Sequence, residues 1–301
     1  MTSYIGRFAP SPTGPLHEGS LLVALASFLD CKSKKGIWKL RIEDIDLYRN
    51  VNGADEEIKE TLISHGLHWD GEVETQRDKN SIYQKKMQEL INNKKVFFCD
   101  CRRKDLKKKP GPYPGYCRSK IDVNYKSASI GRPASHAIRF NTNEGTCIFD
   151  DLVFGKQEIN MDELGACILR RRDGLFAYQF AVVVDDAKQG ITNIVRGADL
   201  IKDTAWQIKL QEALKIKPPQ YCHIPIVVDN SNLRKLSKQT GAPRINNLVP
   251  VKNLNRALSQ LKQTPPPKNK YKNIEDTLDW AINNWDKQKI PKTPILSQKV
   301  E

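Results

Sequence analysis

The chain has 301 residues, 39% hydrophobic and 28% charged, enough for one large core or two domains and polar enough for a soluble protein. No apolar run reaches the roughly 18 residues that a spanning helix needs, and the opening MTSYIGRFAP lacks the apolar stretch of a secretion signal, so a cytoplasmic protein is expected. Lys and Arg outnumber Asp and Glu by 49 to 35, and the resulting net charge of +14 favours a polyanionic partner without identifying one.

Tyr4-Ile5-Gly6-Arg7-Phe8-Ala9 reads as a short strand, stopped by Pro10-Ser11-Pro12-Thr13-Gly14-Pro15. Leu21 to Leu29 is an apolar run too long for a typical strand. Ser20 is its expected N-cap, and Lys32, Lys34, Lys35 and Gly36 close it as a helix. Trp38, Leu40 and Ile42 then alternate with Lys39 and Arg41, which is the period of a strand. Strand, glycine-bearing loop, helix and strand form the start of a nucleotide-binding α/β unit.

Gly53 to His65 and Lys79 to Asn93 are predicted helices. The stretch from Val96 to Phe154 is loop-rich and interrupts the pattern as an inserted module would. The α/β pattern resumes with Ala181-Val182-Val183-Val184 and a strand around Ile191 to Val195, read together as the second half of the sheet. A helix from about Thr204, capped by Asp203, comes next. Tyr221 to Val228 reads as one further strand, Pro265-Pro266-Pro267 as a stiff break, and Ile274 to Trp285 as a last helix.

The cysteines are Cys31, Cys99, Cys101, Cys117, Cys147, Cys167 and Cys222, an odd number in a chain with no secretion signal, which argues against a disulfide framework. Cys99, Cys101 and Cys117 crowd into a polar, basic stretch. Three thiolates and one further donor would satisfy tetrahedral zinc, although C-x-C is tighter than the usual spacing. Arg102-Arg103-Lys104 and Lys107-Lys108-Lys109 flank them, either as a landing surface for RNA phosphates or as a solvated charge run.

Two segments carry nucleotide chemistry. Pro10 to Ser20 places His17, Gly14 and Gly19 before a helix N-terminus, where backbone N–H groups face a phosphate and His17 can donate to a developing negative charge. Lys235-Leu236-Ser237-Lys238-Gln239 puts two lysines around a serine, able to pair with phosphates from the opposite side. Alone, each would be read as a loop with no ligand. Together, in this order, they resemble the HIGH and KMSKS signatures of class I aminoacyl-tRNA synthetases, and Arg7-Phe8-Ala9-Pro10-Ser11-Pro12-Thr13-Gly14 with Arg41-Ile42-Glu43-Asp44-Ile45-Asp46 resembles the glutamyl branch.

That resemblance, over about residues 4 to 240, implies ATP with Mg²⁺, L-glutamate and a glutamyl-AMP intermediate. It implies glutamate binding by Arg7, Phe8, Ala9, Pro10, Ser11, Glu43, Tyr178 and Arg196. The chemistry suits two carboxylates and an ammonium: arginines for the former, Glu43 for the latter, and Tyr178 as a hydroxyl partner. ATP falls to His17, Gly19, Lys235, Ser237 and Lys238, with His17 and Lys238 as the catalytic pair. The resemblance also implies one structural Zn²⁺ on Cys99, Cys101, Tyr113 and Cys117, with Tyr116 and Asp100 as nearby competitors for the fourth position.

The fold class implied is α/β, a Rossmann-type class I catalytic domain. Its expected segments are 1–95 as the first half, 96–165 as the inserted zinc-bearing module, 166–230 as the second half, and 231–301 as the KMSKS-like loop with a small C-terminal helical appendage. The stretch after Lys238 is too short for an anticodon-binding domain. The short architecture, the C-x-C and Y-x₃-C pattern, Phe176-Ala177-Tyr178 and Val183-Val184-Asp185-Asp186 are similar to glutamyl-queuosine tRNA(Asp) synthetases, which attach activated glutamate to the queuosine base of tRNA(Asp). A monomer is expected. The alternatives are a shortened glutamyl-tRNA synthetase that charges a 3′ end, and a non-catalytic paralogue that binds RNA or glutamate. Glu18 departs from the signature, and its carboxylate must face away from the phosphates.

Overall fold

The computed structural model describes residues 3–102, 104, 106, 111–113, 115–119, 136–142, 145–230, 233–236, 242–267 and 273–297. Strand β1 (Ile5–Phe8) leads through the Pro/Gly loop into helix α1 (Glu18–Lys32), and β2 (Ile37–Ile42) returns parallel to β1, Gly6 facing Trp38 and Phe8 facing Leu40. Helix α1 is buried on nearly every side, from Leu21 to Cys31, which is why its sequence is apolar all round instead of in one stripe. It begins at Glu18, two residues before the expected Ser20 cap. His17 is the extended N-cap residue, and the Leu21 N–H already donates to the His17 carbonyl at 3.0 Å. Gly36 ends the turn after α1 because a Cβ there would meet the Tyr4 carbonyl oxygen at 2.7 Å.

After α2 (Ala54–Ser64), strand β3 (Glu74–Thr75) adds to β2, and α3 (Asn80–Asn92) comes after it. Among its described residues, the segment expected to be loop-rich, Val96 to Phe154, holds three strands, and a fourth begins just past its end. β4 (Val96–Cys99) and β5 (Ala137–Phe140) pair antiparallel, while β6 (Thr146–Asp151) and β7 (Gly155–Asn160) make a hairpin. Helix α4 (Met161–Leu164) leads to β8 (Ile168–Arg170), which completes the β4-β5-β8 sheet.

Ala181 to Val184 are not a strand. They lie inside helix α5 (Tyr178–Lys188), where every residue from Phe180 to Asp186 is buried. A β-branched run buried on all sides has no period to betray its state, and packing overrides propensity. Strand β9 (Asn193–Gly197) then pairs parallel with β10 (Gln220–Ile224), which pairs parallel with β6. Between them α6 runs Ile201–Ala213, starting before Thr204. A 3₁₀ turn at Ala198–Leu200 feeds it, and Asp203 sits in its first turn instead of capping it.

The predicted strand from Tyr221 to Val228 is two. Pro225 has no N–H for a ladder, so β10 stops at Ile224, and β11 (Val227–Val228) pairs with β12 (Ile295–Leu296) in another sheet. Helix α7 (Pro250–Gln260), with Pro250 in its first turn, was not foreseen, and α8 (Ile274–Asn283) ends before Trp285. Both helices pack on α1: Leu254, Leu258 and Leu278 join Leu21, Leu25 and Leu29 in the largest apolar cluster.

Strand β1 lies beside β9, with the Thr192 N–H donating to the Ile5 carbonyl at 2.9 Å. The parallel strands therefore run β3-β2-β1-β9-β10-β6 across the molecule, with the chain order reversing between β1 and β9. Among the described residues, no helix is long and apolar enough to cross a membrane.

Because Leu254 of α7 is fully buried in the α1 cluster, Leu254→Ala should cost about 2–5 kcal/mol within a single cooperative urea transition. An unchanged midpoint, or a separate early transition, would show that α7 is not part of the main core.

Candidate active site and metal centre

In an open α/β sheet, the crevice outside the carboxyl ends of the strands at a reversal of order is the natural ligand site, because helix N-termini and loops converge there without a strand to fill the gap. A cleft of about 450 Å³ lies at the β1/β9 reversal. Arg7, Phe8, Ala9, Pro10 and Ser11 at the end of β1, Glu43 after β2, Tyr178 on α5, Arg196 on β9, His17 and Gly19 at the start of α1, and Lys235 all line it. The structure thus brings together every described residue that the sequence pointed to for glutamate and ATP. Ser237 and Lys238 lie outside the described residues.

The floor of the cleft is a buried ionic frame. Arg41, with no exposure, donates to Asp186 Oδ1 at 2.8 Å, Glu43 Oε1 at 3.0 Å and Gln189 Oε1 at 2.5 Å. Arg7 Nε donates to the same Asp186 at 3.2 Å. Asp185, one residue earlier on α5, accepts from Gln76 Nε2 at 2.7 Å and the Tyr83 hydroxyl at 2.8 Å. Burial opposes ionisation of Asp186, but Arg41 and Arg7 outweigh it and hold its carboxyl below the ordinary range. At Glu43 burial wins over Arg41 and Arg7, and its pKa is raised. Glu43 is therefore a carboxyl whose ionised form gains most from a further cation in the cleft.

Arg196 is the opposite case. It is 4% exposed, its Nε donates to His223 Nε2 at 3.1 Å and its Nη2 to Thr204 Oγ1 at 2.7 Å, while buried Nη1 has no protein partner. No carboxylate is paired with it among the described residues. His223 Nδ1 lies 2.7 Å from Asp151 Oδ2. Because Arg196 can only donate, Nε2 must accept, so the proton sits on Nδ1 and the imidazole is neutral.

At the other end of the cleft, a Cβ on Gly19 would come within 3.2 Å of the His17 ring, so the glycine lets that ring lie against the start of α1. Glu18 turns away: its Oε1 accepts from Gln260 Nε2 at 2.8 Å and lies 3.5 Å from Arg256 Nε, both on α7. Lys235 reaches Asp199 at 2.5 Å on the cleft rim.

Apart from the cleft, the sulfurs of Cys99, Cys101 and Cys117 lie within 4.8 Å of one another, close enough that they could hold a metal ion. The Tyr113 hydroxyl lies beside them, 3.5 Å from Cys99 Sγ and 3.6 Å from Cys101 Sγ, and accepts the Cys117 N–H at 3.0 Å. Cys101 and Cys117 Sγ are 3.7 Å apart, close to the roughly 3.8 Å separation set by tetrahedral zinc with Zn–S bonds of about 2.3 Å. Of the competitors, Asp100 Oδ1 lies 3.2 Å from Cys117 Sγ, while Tyr116 is exposed and meets Tyr113 ring edge to face at 5.9 Å. Arg139 covers the Tyr113 ring at 3.9 Å. Burial pushes the Cys101 thiol up to about 11, a cost that a divalent cation would offset.

The family model for the catalytic domain of class I tRNA synthetases (E and Q) matches residues 5–256. The chain belongs to this family. It is 42% identical to a glutamyl-Q tRNA(Asp) synthetase of Photobacterium profundum, over 99% of this chain and 94% of that one. It is 40% identical to one of Pseudomonas aeruginosa, over 99% of both. The fold matches the crystal structure of a glutamate tRNA ligase from Elizabethkingia meningosepticum in complex with its amino acid. The TM-score is 0.81 at 24% identity, covering 98% of this chain and 67% of that one.

Within this class I synthetase frame, sequence reasoning named Arg41, Asp185 and Asp186 only as parts of motifs and gave them no role. It missed Thr204, His223 and Asp151 altogether. The available signal was the charged pair Asp185-Asp186 directly after three valines, whereas Arg41 stood at a polar position of the alternating strand IWKLRI and gave no sign. His223, 72 residues from Asp151, gave no local sign.

Burial lowers the pKa of His65 and His223, the latter also beside Arg196, so both resist protonation in the fold. The unfolded chain takes up those protons below about pH 6.5, so stability falls as pH drops through that value. Asp151 and Asp186 are held below the ordinary carboxylate range by His223 and by Arg41 and Arg7, against burial, so their contribution is present above about pH 4 and is lost in stronger acid. Urea midpoints should decline from pH 7 to 5, and the decline should be shallower in His65→Asn. Equal slopes in parent and variant would contradict neutral burial of His65.

Proposed function

We propose that the cleft activates L-glutamate with ATP and Mg²⁺ and that the enzyme, a class I synthetase-type ligase, transfers the glutamyl group to the queuosine base of tRNA(Asp). The observation that carries this reading is the cleft's charge pattern, in a chain about 40% identical to glutamyl-Q tRNA(Asp) synthetases over nearly its whole length. Arg196 offers an uncompensated guanidinium and Glu43 a carboxyl in want of a cation, both in a cavity of small-molecule size. Glutamate, with an ammonium and a second carboxylate beyond the reacting one, complements both.

In this reading a glutamate α-carboxylate oxygen attacks the ATP α-phosphorus, the bond to the β-phosphate oxygen breaks, and pyrophosphate leaves. Catalysis is alignment plus charge stabilisation, with no protein nucleophile. His17 and the N-terminus of α1 face the α-phosphate, and Gly19 allows the close approach. Lys235, Ser237 and Lys238 take the outer phosphates. Arg7 through Ser11, Glu43, Tyr178 and Arg196 hold glutamate.

Zn²⁺ fits Cys99, Cys101, Cys117 and Tyr113, whose hydroxyl lies 3.5 Å from Cys99 Sγ and 3.6 Å from Cys101 Sγ. Four protein donors leave no position for a reacting water, so the ion would tie β4 to the loop that carries Tyr113. Residues 96–165 form the zinc-bearing insertion between catalytic halves 1–95 and 166–230 in this reading, with 231–301 closing the chain. Arg102 and Lys104 give the insertion a basic face for RNA phosphates. Arg103, Lys107, Lys108 and Lys109 lie outside the described residues.

The decisive test is transfer of labelled glutamate, with ATP and Mg²⁺, to tRNA(Asp) carrying queuosine, to the same tRNA lacking it, and to tRNA(Glu). Label is expected on the first alone. Label on tRNA(Glu) would instead mark a shortened glutamyl-tRNA synthetase, and none on any tRNA would overturn both enzymatic readings. Lys238→Ala should slow adenylate formation about a hundredfold; a normal rate would remove Lys238 from the phosphate site. For the metal, the parent should carry one zinc per chain and Cys101→Ser with Cys117→Ser close to none, with a lower melting temperature. Equal zinc in both proteins would rule out the cysteine site.

A further inference from the structure

Arg7 and Arg41 both give their charge to Asp186, whereas Arg196 is held only by neutral acceptors, His223 Nε2 and Thr204 Oγ1. The imidazole is itself fixed from behind. Asp151 Oδ2 takes both the His223 N–H at 3.0 Å and its Nδ1–H at 2.7 Å, while Oδ1 accepts the N–H groups of Val153 at 3.0 Å and Phe154 at 2.9 Å. The Tyr221 ring stacks on His223 at 6.1 Å with an interplanar angle of 10° and lies 5.2 Å from the Arg196 guanidinium. Arg196 and His223 are register partners on β9 and β10, so this row is set by the sheet itself.

Had a carboxylate taken the place of His223, the arginine would be oriented and also neutralised. A histidine locked as the Nδ1–H tautomer orients Arg196 and keeps Asp151 one ring away from it, so the full positive charge is left for the ligand. We propose that His223, fixed by Asp151, is a positioning residue that aims the free Nη1 of Arg196 at a carboxylate of the amino-acid substrate without discharging it. Thr204 performs the same service for Nη2. The inference rests on the reading of the cleft as a glutamate site.

The test is calorimetric binding of L-glutamate, and separately of ATP, to the full-length protein. His223→Gln can place its amide oxygen where Nε2 accepts, whereas His223→Asn can donate to Asp151 but leaves Arg196 Nε without an acceptor. The expected result is glutamate affinity within about threefold of the parent in H223Q and at least about tenfold weaker in H223N, with ATP affinity the same in both. Isosteric Thr204→Val, which removes the acceptor of Nη2 and depends on no change at position 223, should likewise weaken glutamate alone.

Parent-like glutamate binding by H223N or by T204V overturns the inference. So does an equal loss in H223N and H223Q, or a parallel loss of ATP, since each would mean general damage to the fold. A parent protein that binds ATP but no glutamate would instead refute the glutamate reading of the cleft, and the two failures are thereby told apart.

Discussion

The buried contact between Arg41 and Asp186 holds the site together. It joins β2, in the first part of the chain, to α5, in the second, at 2.8 Å and without exposure of the guanidinium. Burying such a pair stabilises little on balance, since desolvation consumes most of the attraction, but breaking it leaves an uncompensated charge at a cost of about 3–5 kcal/mol. The frame therefore specifies one arrangement of β1, β2 and α5. Because Asp186 also takes Arg7, two of the three arginines near the cleft floor have a carboxylate partner in the protein, and Arg196 has none among the described residues. The polarity that a ligand meets is a by-product of how the core was closed.

Much of the cleft was legible because its residues are chain-local punctuation. The Pro/Gly loop after β1, His17 and Gly19 before an apolar helix, and Lys235 in a basic run announce themselves through backbone chemistry, and the crowded cysteines through spacing. Glu43, Tyr178 and Arg196 are ordinary residues in ordinary contexts and were readable only by resemblance. The fold was legible where period and length agree, as at β1, α1 and β2. It was misread where burial removes the period: Val182 to Val184 look like a strand and are a helix because apolar neighbours surround every side. His223 could not be read at all, since its meaning lies in Asp151 and Arg196 on other strands.

The sheet order explains why dispersed residues meet. Strands β1 and β9 are adjacent although far apart in the chain, and the cleft lies at their carboxyl ends, where the order reverses. The residues at the two strand ends, Ala9 to Ser11 on one side and Gly197, Asp199 and Leu200 on the other, line that gap. Chemistry is then a matter of which side chains stand there. This is why short motifs far apart in the chain can face one cleft: several of them are strand ends.

The C-terminal part, read from sequence as a helical appendage, packs along the end of the cleft where α1 begins. The Ile245 N–H donates to the Leu16 carbonyl at 3.0 Å, and His17 bridges to Arg244, so this stretch runs along the loop that starts α1. One helix later, Arg256 and Gln260 take the Glu18 carboxylate. An anion in the first turn of a helix is favourable for the helix dipole, yet the same turn is where a phosphate would be received, and two anions there would compete. Helix α7 resolves the conflict by turning Glu18 outward and compensating it, which leaves the N–H groups of α1 to the ligand. Glu18 thus finds its partners, Gln260 and Arg256, on α7.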